Sequence, residues 1–240
     1  MPVLLLRLAG PMQSWGTQSR FTVRDTEREP TKSGVVGLLG AALGMRRDDT
    51  ETIARLAALR MGVRVDREGH IRVDYHTAGG GKVPGRDRYG VYKASGAAKI
   101  EPVVSQRHYL ADADFLVGLE GDDEAWLRHL DQALANPVWP LYLGRKAFVP
   151  SQPIRIGVRP GSLEEVLRKF PWRPRREGDR PQEPLRLVIE TDEPTGEVRR
   201  DQPVCFAIFR RDYRIRYLRT DFIDPDDVIV EEVEPCSSPD

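Results

Sequence analysis

Two short segments of the sequence combine an aromatic residue, a glycine and polar or basic side chains. The residues are Gln13, Ser14, Trp15 and Gly16 in the first segment, and Tyr142, Gly144, Arg145 and Lys146 in the second. A ring can stack on a nucleobase, a glycine lets the backbone approach a phosphate, and a cation can hold that phosphate. Each segment is also typical of an ordinary loop or strand end, in which the tryptophan covers the core. This chemistry favours nucleic-acid binding without requiring it.

The stretch from Pro30 to Gly44 predicts a buried helix with a cationic entrance. Its apolar residues cover more than one face, so it should be packed on several sides. Thr31 and Ser33 are residue types that cap helix N-termini, and Gly44 is a natural end. The unpaired N–H groups of the first turn would form an anion site beside the lysine. The residues that could contact an anion at this entrance are Thr31, Lys32, Ser33 and Gly34.

Two glycines inside this helix, Gly37 and Gly40, require an explanation. Each costs about 0.8–1 kcal/mol relative to alanine in a helix, and close approach of another backbone is the usual compensation. We therefore expect a second segment against this face, and Gly37 joins the candidate nucleic-acid contacts. The entrance is not a P-loop, because that motif needs a glycine immediately before the lysine, where this chain has Thr31.

The segment from His76 to Arg107 is rich in basic residues and tyrosines but poor in large aliphatic residues. A glycine triplet at 79–81 interrupts the chain before most of these residues. A segment with so few large aliphatic residues cannot close a hydrophobic core of its own. We interpret it either as a projecting basic arm or as an ordinary surface loop. In an arm, cations would contact phosphates and rings would contact bases. The candidate contacts are Tyr89, Lys93 and Arg107, together with Arg24 from the polar segment after residue 16.

Catalysis is an alternative that the residue types leave open. RNA cleavage without a metal needs a general base, an acid and a cation near the 2′-hydroxyl, and His76, His108 and Tyr109 are the candidates. Lone histidines in strands are more often structural. Because Cys205 and Cys236 lack metal-ligand spacing and no acidic dyad or nucleophile elbow stands out, we expect neither a metal nor another cofactor.

The elements that must position these residues follow a recognisable order. Continuous apolar residues over 2–9 predict a strand covered on both faces. Helices are expected at 30–44, 46–60 and 122–135, a hairpin at 61–75 and a strand at 109–119. This is the βαββαβ order of a ferredoxin-like or RNA-recognition domain, here an α+β domain over 1–160 with a basic thumb hairpin inserted at about 78–107.

The remainder of the chain, 161–240, is predicted to be a smaller β-rich region. A short helix is expected at 162–170, followed by strands at 185–190, 204–210 and 215–218 that form a second sheet. The 240 residues carry 37 basic and 37 acidic side chains. The basic ones concentrate in 77–109 and 141–186, whereas 187–240 is acidic. No apolar run approaches the ~20 residues that cross a bilayer, and we expect a cytoplasmic protein without a membrane partner.

Five segments taken together resemble the CasD subunits of the type I-E CRISPR complex Cascade, which belong to the Cas5 family of the RAMP superfamily. The matching segments, in chain order, are 7–16, 30–44, 47–50, 74–77 and 142–145. The resemblance implies an RNA-recognition fold with a thumb hairpin that caps the crRNA by holding its repeat-derived 5′ handle. It also implies contacts with the backbone and large subunits of the complex and target DNA near by, but no small-molecule substrate. The handle would pass the three segments that carry residues 13–16, 31–33 and 142–146.

The sequence is also compatible with two other functions. Some relatives outside subtype I-E cut CRISPR repeat RNA, which would make this chain a metal-independent endoribonuclease. The type I-E resemblance argues against cutting, because a separate subunit performs it in such systems. The chain could instead be an assembly adaptor whose basic arm meets an acidic protein surface.

Overall fold

The computed structural model describes residues 1–17, 22–79 and 102–232. The strands are β1 (Pro2–Ala9), β2 (Met12–Gln13), β3 (Val23–Arg24), β4 (Arg60–Arg67), β5 (His70–Ala78), β6 (Val103–Ala111), β7 (Asp114–Glu120), β8 (Arg155–Pro160), β9 (Leu185–Thr191), β10 (Glu197–Cys205) and β11 (Asp212–Ile223). Most of the predicted thumb, including Tyr89 and Lys93, lies outside the described residues, as does Cys236. The fold is α+β, as the sequence predicts.

Among the described residues, four α-helices accompany these strands, and local sequence signals set where they begin. They are α1 (Lys32–Leu43), α2 (Thr50–Ala57), α3 (Glu124–Ala135) and α4 (Leu163–Lys169). The side chains of Thr31, Asp49, Asp123 and Ser162 each accept a hydrogen bond from a backbone N–H of the first turn. In the described parts of the chain, no helix is long and apolar enough to cross a membrane.

The main sheet has seven strands in the order β10-β11-β9-β4-β7-β1-β8, and all its neighbours are antiparallel. Strand β1 lies between β7 and β8. Leu4, Leu6 and Leu8 face one core with residues of α1 and α3, whereas Val3 and Leu5 face a second core with α4. The predicted strand covered on both faces is therefore confirmed.

A second sheet is built on β6, with β5 along one edge and β2 and β3 along the other. The chain leaves the main sheet between β4 and β5 at Gly69 and returns between β6 and β7 at Asp112, and both residues have a φ near +68° to +69°. These corners contradict two predictions. Segments 61–65 and 71–75 are not paired as a hairpin, and 109–119 is two strands in different sheets.

The C-terminal strands also differ from the prediction. They form no separate sheet, because β9 pairs with β4 and extends the main sheet outward through β11 and β10. The segment predicted as a strand at 204–210 is a strand only up to Cys205 and a turn beyond it. Local apolar patterns located these strands approximately, but they contain no information about which strand pairs with which.

The N-terminus of α1 is closed by a cluster of four charged residues, Lys32, Glu190, Asp201 and Arg216, which we call the entrance cluster. The Lys32 backbone N–H donates to Asp201 Oδ2 at 2.8 Å, and its ammonium donates to Glu190 at 2.7 and 2.8 Å. Arg216 donates to both carboxylate oxygens of Asp201, at 2.6 and 2.8 Å. These contacts connect the first helix to the last three strands.

Burial and pairing act in opposite directions on the pKa values of this cluster. Burial lowers the pKa of Lys32, and the charge of Glu190 offsets part of that shift. Burial alone would raise the pKa of Asp201, but the hydrogen bonds and charge of Arg216 outweigh it and hold that pKa below its ordinary value. The aspartate therefore stays ionised at neutral pH and stabilises the fold.

Replacing this aspartate by its uncharged isostere should remove the nearer counter-charge of the buried Arg216 and leave it with Glu190, 3.7 Å away. We expect Asp201→Asn to lower the free energy of unfolding at pH 7 by about 3–5 kcal/mol in urea titrations. The exposed Asp122→Asn is the matched control and should change it by less than about 0.5 kcal/mol. Equal effects of the two variants would contradict the stabilising role of the cluster.

The stability difference between wild type and Asp201→Asn should depend on pH. A carboxylate with a lowered pKa contributes stability above the unfolded-state pKa of about 3.9, and that contribution is lost as the pH falls through the folded-state value. The difference in the free energy of unfolding between wild type and Asp201→Asn should therefore be largest above about pH 4 and decrease below it. If this stability difference instead increased in acid, another titrating group would control the pH dependence.

Candidate functional site

Two of the segments selected from the sequence meet in the structure. The Ser14 N–H donates to Leu143 O at 3.1 Å, and Leu143 is fully buried. Gly144 has a φ of +94°, and a Cβ added there would lie 1.8 Å from Ser14 O. Only glycine fits this place, because the turn at 142–146 lies directly on the backbone of the first segment.

Three arginines from different parts of the chain converge beside this contact. Arg24 lies on β3, Arg107 on β6 and Arg145 on the turn, and they line a cleft of about 350 Å³ together with Asp25. Arg24 and Arg107 are direct neighbours across the parallel β3–β6 pairing. The predicted contacts in this arginine cleft, as we call it, are Ser14, Gly16, Arg24, Arg107, Gly144 and Arg145.

The cleft concentrates positive charge. Burial lowers the pKa of Arg145, and the neighbouring charges of Arg107 and Arg24 lower it further, although Asp74 and Asp25 act against them. One guanidinium nitrogen of Arg145 donates to His108 O at 2.7 Å, whereas the other, Nη1, is buried without a hydrogen-bond partner. Leaving a buried donor unpaired costs about 1–3 kcal/mol, so turning the half-buried Arg145 side chain toward an anion in the cleft would be favourable.

Gln13 and Trp15 have a structural role. The Trp15 ring is 1% exposed, and its N–H donates to Gln13 Oε1 at 3.2 Å. The Gln13 amide donates to Leu8 O and Ala113 O, each at 2.9 Å. The prediction that Trp15 stacks on a base is wrong for this structure, since its ring packs against Gly34 beneath the surface.

The entrance of α1 also differs from the prediction of an anion site. The Lys32 backbone N–H and ammonium are taken by Asp201 and Glu190, and Thr31 caps the helix through the Gly34 N–H at 3.3 Å. Lys32 is 1% exposed, so its ammonium cannot reach a ligand at the surface. Ser33 is half-buried, and its hydroxyl lies 3.4 Å from Thr31 Oγ1. The protein's own carboxylates thus occupy the predicted phosphate site.

The candidate catalytic residues are not assembled into one site. His76 pairs with Ser105 and Val73 pairs with His108 in an uninterrupted β5–β6 register. Ser105 and His108 are three positions apart on one strand, and side chains an odd number of positions apart point to opposite faces, so the two histidines lie on opposite faces of the sheet. Tyr109 packs against Phe148, with ring centroids 5.9 Å apart. In the ranges that the structure covers, no cluster of His, Cys, Asp and Glu could hold a metal ion.

Gly37, Tyr142 and Lys146 line a second depression, of about 630 Å³, on the other side of the turn. We call it the aromatic groove. Five of its aromatic and basic lining residues are not among the predicted contacts, namely Arg47, Trp139, Phe206, Arg211 and Tyr213. Rings and cations interleave over 206–214 as they do over 76–107, and this signal could have identified the last three.

Comparisons with known proteins are consistent across sequence and structure. The profile of a family described as "CRISPR-associated protein (Cas_Cas5)" matches residues 3–219. The CRISPR system Cascade subunit CasD of Escherichia coli (strain K12) is 36% identical over 165 residues, which are 64% of this chain and 70% of that protein.

Two solved structures resemble the chain over most of its length. One, described as the crystal structure of a Cas protein, is 42% identical, with a TM-score of 0.74 and coverage of 95% of this chain and 98% of that chain. The other, described as a CRISPR RNA-guided surveillance complex, includes a chain that is 38% identical, with a TM-score of 0.76 and coverage of 92% and 90% respectively.

Because the turn contacts Ser14 closely, substitution of Gly144 by alanine should destabilise the protein more than the same substitution at Gly178. Gly178 has a comparable φ of +83°, but a Cβ added there would meet no atom within 4 Å. We expect Gly178→Ala to lower the free energy of unfolding by about 1–2 kcal/mol through backbone strain alone. Gly144→Ala should cost about 1–3 kcal/mol more, because it also pushes the turn off the first segment. Equal costs in urea titrations would contradict the close contact.

Proposed function

The chain belongs to the Cas5 family of CRISPR-associated proteins, and we propose that it is the Cascade subunit that binds the crRNA and caps its repeat-derived 5′ handle. Its partners in this proposal are the RNA, the backbone and large subunits of the complex and, near by, the target DNA. In this proposal the chain binds the crRNA in the cytoplasm, without a cofactor or a small-molecule substrate.

The arginine cleft is the observation that carries this proposal. Like charges placed opposite each other on neighbouring strands are destabilising, and Arg24 beside Arg107 is such a pair, in which Asp74 on β5 balances part of the charge of Arg107. The buried Nη1 of Arg145 adds an unpaired donor a short distance away. RNA phosphates would neutralise the two arginines and offer acceptor oxygens to Arg145.

The fold supplies the frame that such a site needs. The chain order β1, α1, β4, β7, α3, β8, combined with the sheet order β4-β7-β1-β8, supports a ferredoxin-like domain over 1–160. In our proposal the region 161–240 closes the entrance of α1 through Glu190 and Asp201. The thumb at about 78–107, with Tyr89 and Lys93, would extend the RNA path beyond the described residues.

A binding role is favoured over catalysis by the same geometry. General acid–base cleavage needs both proton-transfer groups within hydrogen-bond reach of one ribose. His76 and His108 lie on opposite faces of their sheet, and His108 Nδ1 is 3.2 Å from Arg24 O. We therefore propose that the chain holds RNA without cutting it.

Charge removal in the cleft should weaken RNA binding in a salt-dependent way. We expect Arg24→Ala, Arg107→Ala and Arg145→Ala each to reduce the slope of log affinity against log salt by about 0.7, the value for one phosphate contact on a single strand. Filter binding of the full chain to a handle RNA at several salt concentrations measures the slope. The control is Arg128→Ala, which removes an exposed charge that pairs within α3 with Glu124. An unchanged slope in all three cleft variants would contradict the proposal.

Purification from the native host tests the biological setting. A tagged chain should bring down small RNAs that share one repeat-derived end, together with the other subunits, and Arg145→Ala should lose the RNA. Complex formation that survives ribonuclease treatment and high salt, with no defined RNA, would favour an assembly adaptor instead.

The endoribonuclease alternative has its own readout. When the purified chain is incubated with CRISPR repeat RNA, we expect the RNA to stay at full length on a denaturing gel. Should cut products accumulate, the double variant His76→Ala and His108→Ala decides whether these residues cause them. Cutting by the wild type that the double variant lacks would overturn the non-catalytic proposal.

A further inference from the structure

Gly37 is a glycine in the middle of a helix without a packing reason for it. A Cβ added there would meet no atom within 4 Å, whereas one added at Gly40 would lie 2.5 Å from Met45 Cε. The expected close approach of another backbone is therefore wrong for Gly37, although the residue costs about 0.8–1 kcal/mol relative to alanine. What lies in front of it is the open aromatic groove.

Three separate segments build the walls of this groove. The N–H groups of Val138 and Trp139 donate to Ala42 O at 3.0 Å and Ala41 O at 3.1 Å, which caps the end of α1 and fixes Trp139 at the rim. On the opposite side, the Phe206 N–H donates to Arg47 O at 3.2 Å. Tyr142 and Tyr213 complete the aromatic lining.

The charges of the groove have one sign. Its charged lining residues in the described part of the chain are Arg47, Lys146 and Arg211, all of them cations. Flat rings combined with cations match a nucleotide, because the base can stack while its phosphate is neutralised. A peptide that filled the same space would need to bring acidic groups with it.

The groove and the arginine cleft lie on the two sides of one turn. Tyr142 and Lys146 line the groove, and the intervening Gly144 and Arg145 line the cleft. Four peptide units separate Tyr142 from Lys146, so the turn spans at most ~15 Å. One RNA strand can therefore have its phosphates in the cleft and a neighbouring base in the groove.

We propose that the aromatic groove is a nucleotide pocket that receives one unstacked base of the bound guide RNA, with Gly37 keeping its floor open. This inference rests on the proposed function and goes beyond it by assigning a specific pocket, with residues of α1 and of the 206–213 segment, to a single base. Tyr213 is a stacking surface and Arg211 a phosphate contact in this assignment.

Two pairs of variants test the pocket through RNA affinity of the full chain. Tyr213→Leu removes the ring but keeps apolar bulk, and it should weaken binding roughly 5- to 150-fold. Tyr213→Phe keeps the ring and should bind within about twofold of wild type. Gly37→Leu fills the groove and should weaken binding to a similar degree, whereas Ala54→Leu, which adds a similar bulk on the exposed side of α2, should not.

Folding can be separated from binding in these variants. Because the side chain at position 37 enters open space and the helix loses a glycine, Gly37→Leu should melt no lower than wild type. Ultraviolet cross-linking of the purified RNA-containing complex, followed by mass spectrometry, should also join one nucleotide position to peptides that contain Tyr142 or Tyr213.

The outcomes distinguish this proposal from the one on which it rests. If all groove variants bind like wild type while Arg145→Ala binds weakly, the RNA uses the cleft alone and the pocket assignment is wrong. If Tyr213→Leu loses a protein subunit but not RNA, the groove holds a protein segment and the assignment is again wrong. If the wild-type chain binds no guide RNA, both proposals fail.

Discussion

Two carboxylates from the C-terminal strands hold the N-terminus of α1, and both candidate RNA surfaces depend on where that helix lies. Asp201 and Glu190 complement its positive end and neutralise the buried Lys32. At the same end, Gly34 supports the Trp15 ring and thereby the segment that forms one wall of the arginine cleft. At the other end, the helix carbonyls anchor Trp139 at the aromatic groove. A contact formed for stability thus fixes the binding geometry.

Features that depend on neighbouring residues were predictable from the sequence. The start of α1 at Thr31, its end at Gly44 and the doubly covered strand β1 all follow from residues within a few positions. The role of Lys32 was not predictable, because its partner Asp201 is 169 residues away. A lysine at a helix start has the same local pattern whether it awaits a phosphate or is already paired, and only the long-range pairing of β9 with β4 decides between them.

The candidate site was predictable by residue type but not by arrangement. The sequence identified Arg24, Arg107 and Arg145 as cations without indicating that a two-residue parallel pairing places the first two side by side. Trp15 was misassigned because its glycine-flanked setting is the same in an exposed loop and in one that packs down on the core. The groove residues at 206–213 were overlooked because the acidic composition of the whole C-terminal region obscures a local group of rings and cations.

The position of the entrance cluster in the chain has a consequence for synthesis on the ribosome. The segments that form the arginine cleft lie within residues 14–145, so they can associate while the remaining strands are still being translated. The aromatic groove needs Phe206 and Tyr213, and α1 keeps an uncompensated lysine until Glu190 and Asp201 emerge. In a nascent chain the segments of the proposed cleft can therefore associate before those of the proposed groove, but neither candidate RNA surface reaches its final geometry until α1 is held by Glu190 and Asp201.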